Sequence, residues 1–219
     1  MSRIYIIVIA FMTMALNGMA FNVFMCGDSH VCSKIYPERV GDILVDADPE
    51  IIFSYWGKIG AGLYTYNDTP EYMHHIYNAK PDVLIVHLGT NDSYTPEFSK
   101  EKFKRDLEEF YNNVSHHLPN CMMVFVTPFY NKFKNGHINK ETRECADAYK
   151  EFAADHKNAY VVDNNADYGM FFLDGGDELI RRDGVHLTVE GYEQLGDQVG
   201  QGLIDLEALW LLAEEPYFE

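Results

Sequence analysis

Five apolar, β-branched runs of strand length recur along the chain: FNVFMC from Phe21, EIIFSYW from Glu50, VLIVHLG from Val83, CMMVFVTP from Cys121 and AYVVD from Ala159. They are mostly continuous where a half-exposed strand would alternate, which suits strands buried on both faces of a parallel sheet. Between them lie helix-like stretches, Pro37 to Val45, Thr69 to Ala79, Ser99 to Leu118, Asn139 to His156, and Thr188 to about Ala213. Alternating strands and helices imply right-handed crossovers. The predicted fold is α/β, a three-layer α/β/α sandwich with a mainly parallel, about five-stranded sheet.

No linker, repeat or low-complexity segment interrupts this series, and a chain of 219 residues is long enough for one well-buried domain and short for two. The expected organisation is a signal over residues 1–20 and one domain over 21–219. The opening MSRIYIIVIAFMTMALNGMA pairs basic Arg3 with an apolar stretch from Ile4 to Leu16 and small residues at Gly18 and Ala20, the pattern of a cleaved secretory signal. Its apolar part is short for a membrane span, with a retained or lipid-modified anchor as the alternative. The expected location is therefore secreted or periplasmic, and no later segment reads as membrane-spanning.

In an exported chain the four cysteines, Cys26, Cys32, Cys121 and Cys145, permit up to two disulfides whose pairing is unreadable. With 34 acidic and 17 basic residues the formal net charge is −17, and loss of the signal removes Arg3 and no acid. Such a surface repels nucleic acid, and the nearest basic candidate, KEKFKRDLEEF, is a mixed-charge helical face.

Ligands of open parallel sheets bind beyond the carboxyl ends of the strands. The segments there are unusual: GDSH after the first run, GKIGAG after the second, GTNDSY after the third and TPFYNKFKNGHIN after the fourth. Late in the chain RRDGVHLT sets Asp183 and His186 three residues apart before the last helix. Taken alone, Ser29 in GDSH reads as a helix cap, Asn91 as an Asx turn and Asp183 as a cap of the last helix. Taken together, a serine, an acid–imidazole pair and an amide converging on one sheet edge are what acyl transfer needs.

GDSH, the glycines of GKIGAG, GTND and DGVH, in that order over nearly all of the mature chain, resemble the SGNH hydrolases, the GDSL-like esterase superfamily. The resemblance implies Ser29 as nucleophile, Asp183 and His186 as the rest of a triad, and Ser29, Gly60 and Asn91 as the oxyanion hole. Gly60 is chosen because Gly57 to Ala61 fits the family's Gly-x-x-Gly block, with Gly62 as the alternative. His30 departs from the Leu of the namesake GDSL form, which weakens a lipid preference and leaves the nucleophile in place. Subfamily likeness points to exported esterases that remove O-acetyl groups from polysaccharides, including peptidoglycan.

The roles follow from chemistry. A serine hydroxyl needs a base, His186, which later protonates the leaving alcohol, and Asp183 would hold that imidazole in one tautomer. Asp28 and Asp92 read as loop-shaping acceptors of backbone N–H groups, and a glycosidase would need two opposed carboxylates in their stead. Tyr64, Tyr66, Tyr94, Phe129 and Tyr130 crowd the loops near the site, half or more of them expected to be packing; Tyr64, Tyr94 and Tyr130 are the candidate substrate contacts. No cofactor or metal is implied, since His74–His75 and His116–His117 are adjacent pairs on different helical faces. The expected activity is a serine esterase acting on O-acyl, chiefly O-acetyl, esters of a carbohydrate. The alternatives are a lipid or thioester hydrolase, separable by acyl-chain preference, and a catalytically silent carbohydrate-binding module, separable by inactivity of the folded protein.

Overall fold

The computed structural model describes residues 21–129, 140–165 and 176–206. Strands β1 (Phe21–Gly27), β2 (Ile51–Gly57), β3 (Val83–His87), β4 (Met122–Val126) and β5 (Ala159–Val162) form one sheet in the order β2-β1-β3-β4-β5. Every pairing is parallel. All five coincide with the apolar runs, and the sheet is the predicted one.

Alternate residues of each strand feed two cores, as a period of two requires. Val23, Met25, Ile85 and Val124 pack beneath α1 (Ile35–Ala47) and the last helix, Val189–Asp205, whereas Phe24, Cys26, Leu84 and Phe125 face the helices of the opposite layer. Fully burying each such side chain contributes roughly 1.5–3 kcal/mol. That opposite layer holds α2 (Leu63–Asp68), α3 (Pro70–Ala79), α5 (Lys100–His117) and α6 (Lys140–Asp155), with the one-turn α4 (Thr90–Ser93) after β3; Val189–Asp205 is α7.

The helix ends are set by local chemistry. Ser99 caps α5 by accepting from the Lys102 N–H, Thr188 caps α7 through the Gly191 N–H, and Pro70 opens α3 at the position where its missing N–H costs nothing. On α5, Phe103, Leu107, Phe110 and Val114 make the buried stripe. Two departures from the sequence reading concern helices. The last helix ends at Asp205 with Leu206 extended, short of the predicted Ala213, and residues from 207 on lie outside the described ones. α2 and α4 occupy segments read as loops, because one or two turns are too short to display a helical period.

All four cysteines are free thiols, with Cys26, Cys121 and Cys145 buried as small hydrophobes. Among the described residues no helix is long and apolar enough to cross a membrane. The proposed signal, residues 1–20, lies outside them.

Candidate active site

Ser29 follows β1 by two residues, at the carboxyl edge of the sheet. It caps no helix: α1 begins at Ile35 after Lys34, and Ser33 Oγ is what accepts the Tyr36 N–H there, at 3.3 Å. Ser29 Oγ instead lies 2.9 Å from His186 Nε2. The other ring nitrogen, Nδ1, is 3.0 Å from Asp183 Oδ2. Asp183 Oδ1 also accepts the backbone N–H groups of Val185 and His186, both at 2.9 Å, so the carboxylate is held at three points.

The hairpin that carries this pair is closed by the Ile180–Leu187 bridge and turns at Gly184, φ +76°. Burial opposes charge on Asp183, yet the two N–H donors and the imidazole hold its pKa down at about 2. An ionised Asp183 takes the Nδ1 proton as a hydrogen bond, leaving the Nε2 lone pair toward the serine hydroxyl. That arrangement can move a proton from Ser29 to His186.

The other predicted groups stand on the segments after β2 and β3. Gly60 sits in the Lys58–Ala61 turn at φ +78°, and its N–H has no partner among the described residues. The N–H of the alternative, Gly62, is spent on Thr65 Oγ1 at 3.0 Å. Asn91 Nδ2 donates to the Ala61 carbonyl at 2.9 Å and to Asp28 Oδ2 at 3.2 Å, tying the loops after β1, β2 and β3 together. Asp28 Oδ1 accepts the His30 N–H at 2.9 Å, and Asp92 accepts the Leu63 N–H at 3.0 Å. Both acids are buried, which pushes Asp28 up to about 7 and Asp92 up to about 6 despite those donors.

Gly62 and Gly60 therefore serve different needs. A Cβ on Gly62 would lie 2.5 Å from Asp92 Oδ2, whereas one on Gly60 would meet nothing within 4 Å and suffer only its positive φ. Gly62→Ala should cost about 2–3 kcal/mol by displacing a buried carboxylate from its donor, and Gly60→Ala about 1 kcal/mol. Denaturant unfolding of the two variants checks the order; equal losses would remove the Asp92 contact as the reason for glycine at 62.

The sequence reading missed a tier of buried polar rings beneath the serine. His30 Nδ1 pairs with the Tyr192 hydroxyl at 3.3 Å and His87 Nδ1 with the Tyr36 hydroxyl at 2.9 Å, the two imidazoles stacking at 5.9 Å. The His30 ring lies 5.7 Å from that of His186 and meets Phe129 edge-on at 4.9 Å. Burial holds His30 well below the usual histidine range and lowers His87 to about 3, so both are neutral. Phe129 and Tyr66 are thus packing residues, Tyr66 donating to the Gly27 carbonyl at 2.9 Å. Tyr94 is 41% exposed and Tyr64 half-buried with Lys102 Nζ 5.4 Å over its ring; Tyr130 lies outside the described residues.

The raised acids give a signed pH dependence. Asp28 keeps its proton to higher pH in the folded state than its ordinary 3.8, so its contribution to stability is full below about pH 4 and is lost as pH rises through about 7. Depressed His30 and His87 act oppositely, contributing above about pH 6.5 and losing it as pH falls. Their opposition flattens the parent curve, so the test is a difference: the melting temperature of Asp28→Asn relative to the parent should rise from about pH 4.5 to about pH 7.5. A difference independent of pH would mean that Asp28 is not protonated in the folded protein.

Comparison with known proteins meets this geometry. The model of the GDSL-like Lipase/Acylhydrolase family matches residues 25–194. No curated protein sequence matches the chain. Among solved structures, a peptidoglycan O-acetylesterase superposes with a TM-score of 0.76 at 11% identity, covering 94% of this chain and 96% of that one. The acetyl xylan esterase AlAXEase gives 0.69 at 18% identity, covering 84% and 100%, and a lipase/acylhydrolase from Enterococcus faecalis gives 0.65 at 21%, covering 84% and 95%. At these identities the likeness is one of fold. The family match spans most of the chain, from within β1 to the second turn of α7, and takes in Ser29, Asn91, Asp183 and His186: the chain belongs to the GDSL-like lipase/acylhydrolase family.

Proposed function

We propose that the protein is an exported serine esterase that removes O-acyl, chiefly O-acetyl, groups from a carbohydrate. The observation that carries the reading is the relay from Ser29 Oγ through His186 to Asp183, at 2.9 and 3.0 Å. Ser29 Oγ attacks the ester carbonyl as His186 Nε2 takes its proton, and the tetrahedral oxyanion meets the N–H groups of Ser29 and Gly60. Asn91 joins by turning one amide hydrogen from its longer bond, the 3.2 Å one to Asp28, toward the developing charge. Collapse expels the sugar alcohol, which receives the proton from His186. Water, deprotonated in turn by His186, then hydrolyses the acyl-enzyme to acetate and free Ser29.

The carbohydrate half of the reading is supported by relatives of fold described as an acetyl xylan esterase and a peptidoglycan O-acetylesterase, and by Tyr64 in the first turn of α2 and Tyr94 directly after α4, on the segments that follow β2 and β3. A longer acyl chain has one observation in its favour, Ile59, 73% exposed next to Gly60. Purified mature protein assayed on acetyl, butyryl and octanoyl nitrophenyl esters, then on acetylated glycans with acetate release measured, separates the readings. Acetyl preference with acetate release is expected. Octanoyl preference would replace the proposal with a lipid or thioester hydrolase, and inactivity of the folded protein would replace it with a binding module.

A further inference from the structure

The catalytic edge carries free positive charge in a chain that is strongly negative. Lys58 on the loop after β2, and Arg181 and Arg182 on the hairpin before α7, are exposed and have no ion-pair partner among the described residues. Elsewhere the basic side chains are mostly tied to acids: Arg39 to Asp197, Lys100 and Lys104 to Glu151, Lys150 to Asp163. Lys34, Lys80, Arg105 and Lys157 have no ion-pair partner among the described residues either; Lys34 stands before α1, Arg105 on α5, and Lys80 and Lys157 precede β3 and β5, at the far edge of the sheet.

Backbone bonds hold the main chain of Lys58 and Arg181 close to the chemistry. The Lys58 N–H donates to the Gly27 carbonyl at 3.0 Å, two residues from Ser29, and the Arg181 N–H donates to the His186 carbonyl at 2.7 Å. Their charges are also felt at neighbouring groups. Burial raises the Cys32 thiol and Lys58 draws it back; burial raises the Tyr192 hydroxyl to about 12 against the pull of Arg181.

Among the described residues, four acids near this edge are committed. Asp28 and Asp92 are buried, Asp183 is bonded to His186, and Glu38 accepts from the Tyr55 hydroxyl. Glu97, Glu178 and Glu190 remain exposed there, and Glu190 stands in the first turn of α7, where the helix dipole favours it. With an overall charge of −17, an anionic polymer would be repelled by most of this molecule and admitted where unpaired cations flank the serine.

We infer that the alcohol half of the substrate is itself anionic, an acylated sugar bearing a carboxylate, recognised by Lys58, Arg181 and Arg182 around the Ser29 hydroxyl. This rests on the esterase reading above and narrows it. The guanidinium groups offer paired donors to a carboxylate, and the ammonium offers a point charge.

The test compares an O-acetylated uronic-acid oligosaccharide with a neutral O-acetylated xylo-oligosaccharide of equal length. The parent should favour the uronate ester by about tenfold or more in kcat/KM, through KM, and the advantage should shrink as salt rises. Unacetylated uronate oligosaccharide should inhibit competitively. In Lys58→Gln/Arg182→Gln the ratio should fall about tenfold, whereas Lys157→Gln at the far edge keeps it. Equal rates on both glycans, or a ratio that survives in the double variant, would overturn the inference while leaving the esterase reading intact. Hydrolysis of nitrophenyl acetate with no acetate from either glycan would end both. Binding to anionic phospholipid vesicles with preference for lipid esters would reassign the cations to a lipid surface. The salt and inhibition measurements use the parent chain and do not depend on the variants folding.

Discussion

Ser29→Ala is expected to reduce esterase turnover by on the order of 10⁶ while the melting temperature stays close to that of the parent. The hydroxyl is engaged with His186 Nε2, and Ser33, one turn on, bonds the Tyr36 N–H at the start of α1, so removing Oγ leaves no helix end uncapped. Ser29→Asn and Ser29→Asp sharpen the test, because both retain a side chain that can cap and neither supplies an activated hydroxyl. If Ser29 were a cap, Ala would cost roughly 0.5–2 kcal/mol, Asn and Asp would restore it, and activity would track folded protein. As a nucleophile, all three variants lose activity together irrespective of stability, and a serine-directed phosphonate labels the parent alone. Full activity in folded Ser29→Asn would refute the central reading of the site.

Which parts of this were legible in the sequence follows from the range of the interactions. The five strands and the long helices carry their own periods and caps, as in the Ser99 cap and the Phe103, Leu107, Phe110, Val114 stripe, so they could be read locally. Asp183 and His186 are three residues apart in one hairpin, and Ser29 stands at the end of the first strand, so topology alone brings them to one edge. The buried tier was invisible because its partners are remote: Tyr192 lies 162 residues from His30, and Tyr36 lies 51 from His87. Tyr192 on α7 looks like any apolar-face aromatic until the helix packs.

The difference between the surroundings of Gly60 and Gly62 was equally hidden. It turns on Thr65, which takes the Gly62 N–H, and on Asp92, which fills the space a Gly62 side chain would need. Asn91 was singled out by its motif, but not its engagement with Asp28, 63 residues away. That bond places a buried carboxyl, raised to about 7, against the amide proposed as an oxyanion donor, which a string of residue types cannot express.

Asp183→Asn should lower turnover by about 10⁴ with the fold preserved, by analogy with amide substitution in other serine triads. The amide oxygen can still accept from the Val185 and His186 N–H groups that Asp183 Oδ1 binds at 2.9 Å, so the hairpin keeps its turn. What changes is the group facing His186 Nδ1: an amide NH2 donates where a carboxylate accepts at 3.0 Å. Nδ1 then becomes the acceptor, the ring proton moves to Nε2, and His186 presents an N–H to Ser29 where it needs a lone pair. Asp183→Ala adds a loss of the turn, so it should be less stable than the Asn variant as well as inactive. In the parent, Asp183 stays ionised down to about pH 2, so loss of activity toward mild acid should not follow its titration. The stability it adds is present above its ordinary value of 3.8 and disappears as pH falls through about 2, and half exposure of the side chain keeps that contribution small. Steady-state kinetics of Asp183→Asn decides the matter: near-parental turnover would take the carboxylate out of the relay and leave Ser29 with an imidazole oriented by the hairpin alone.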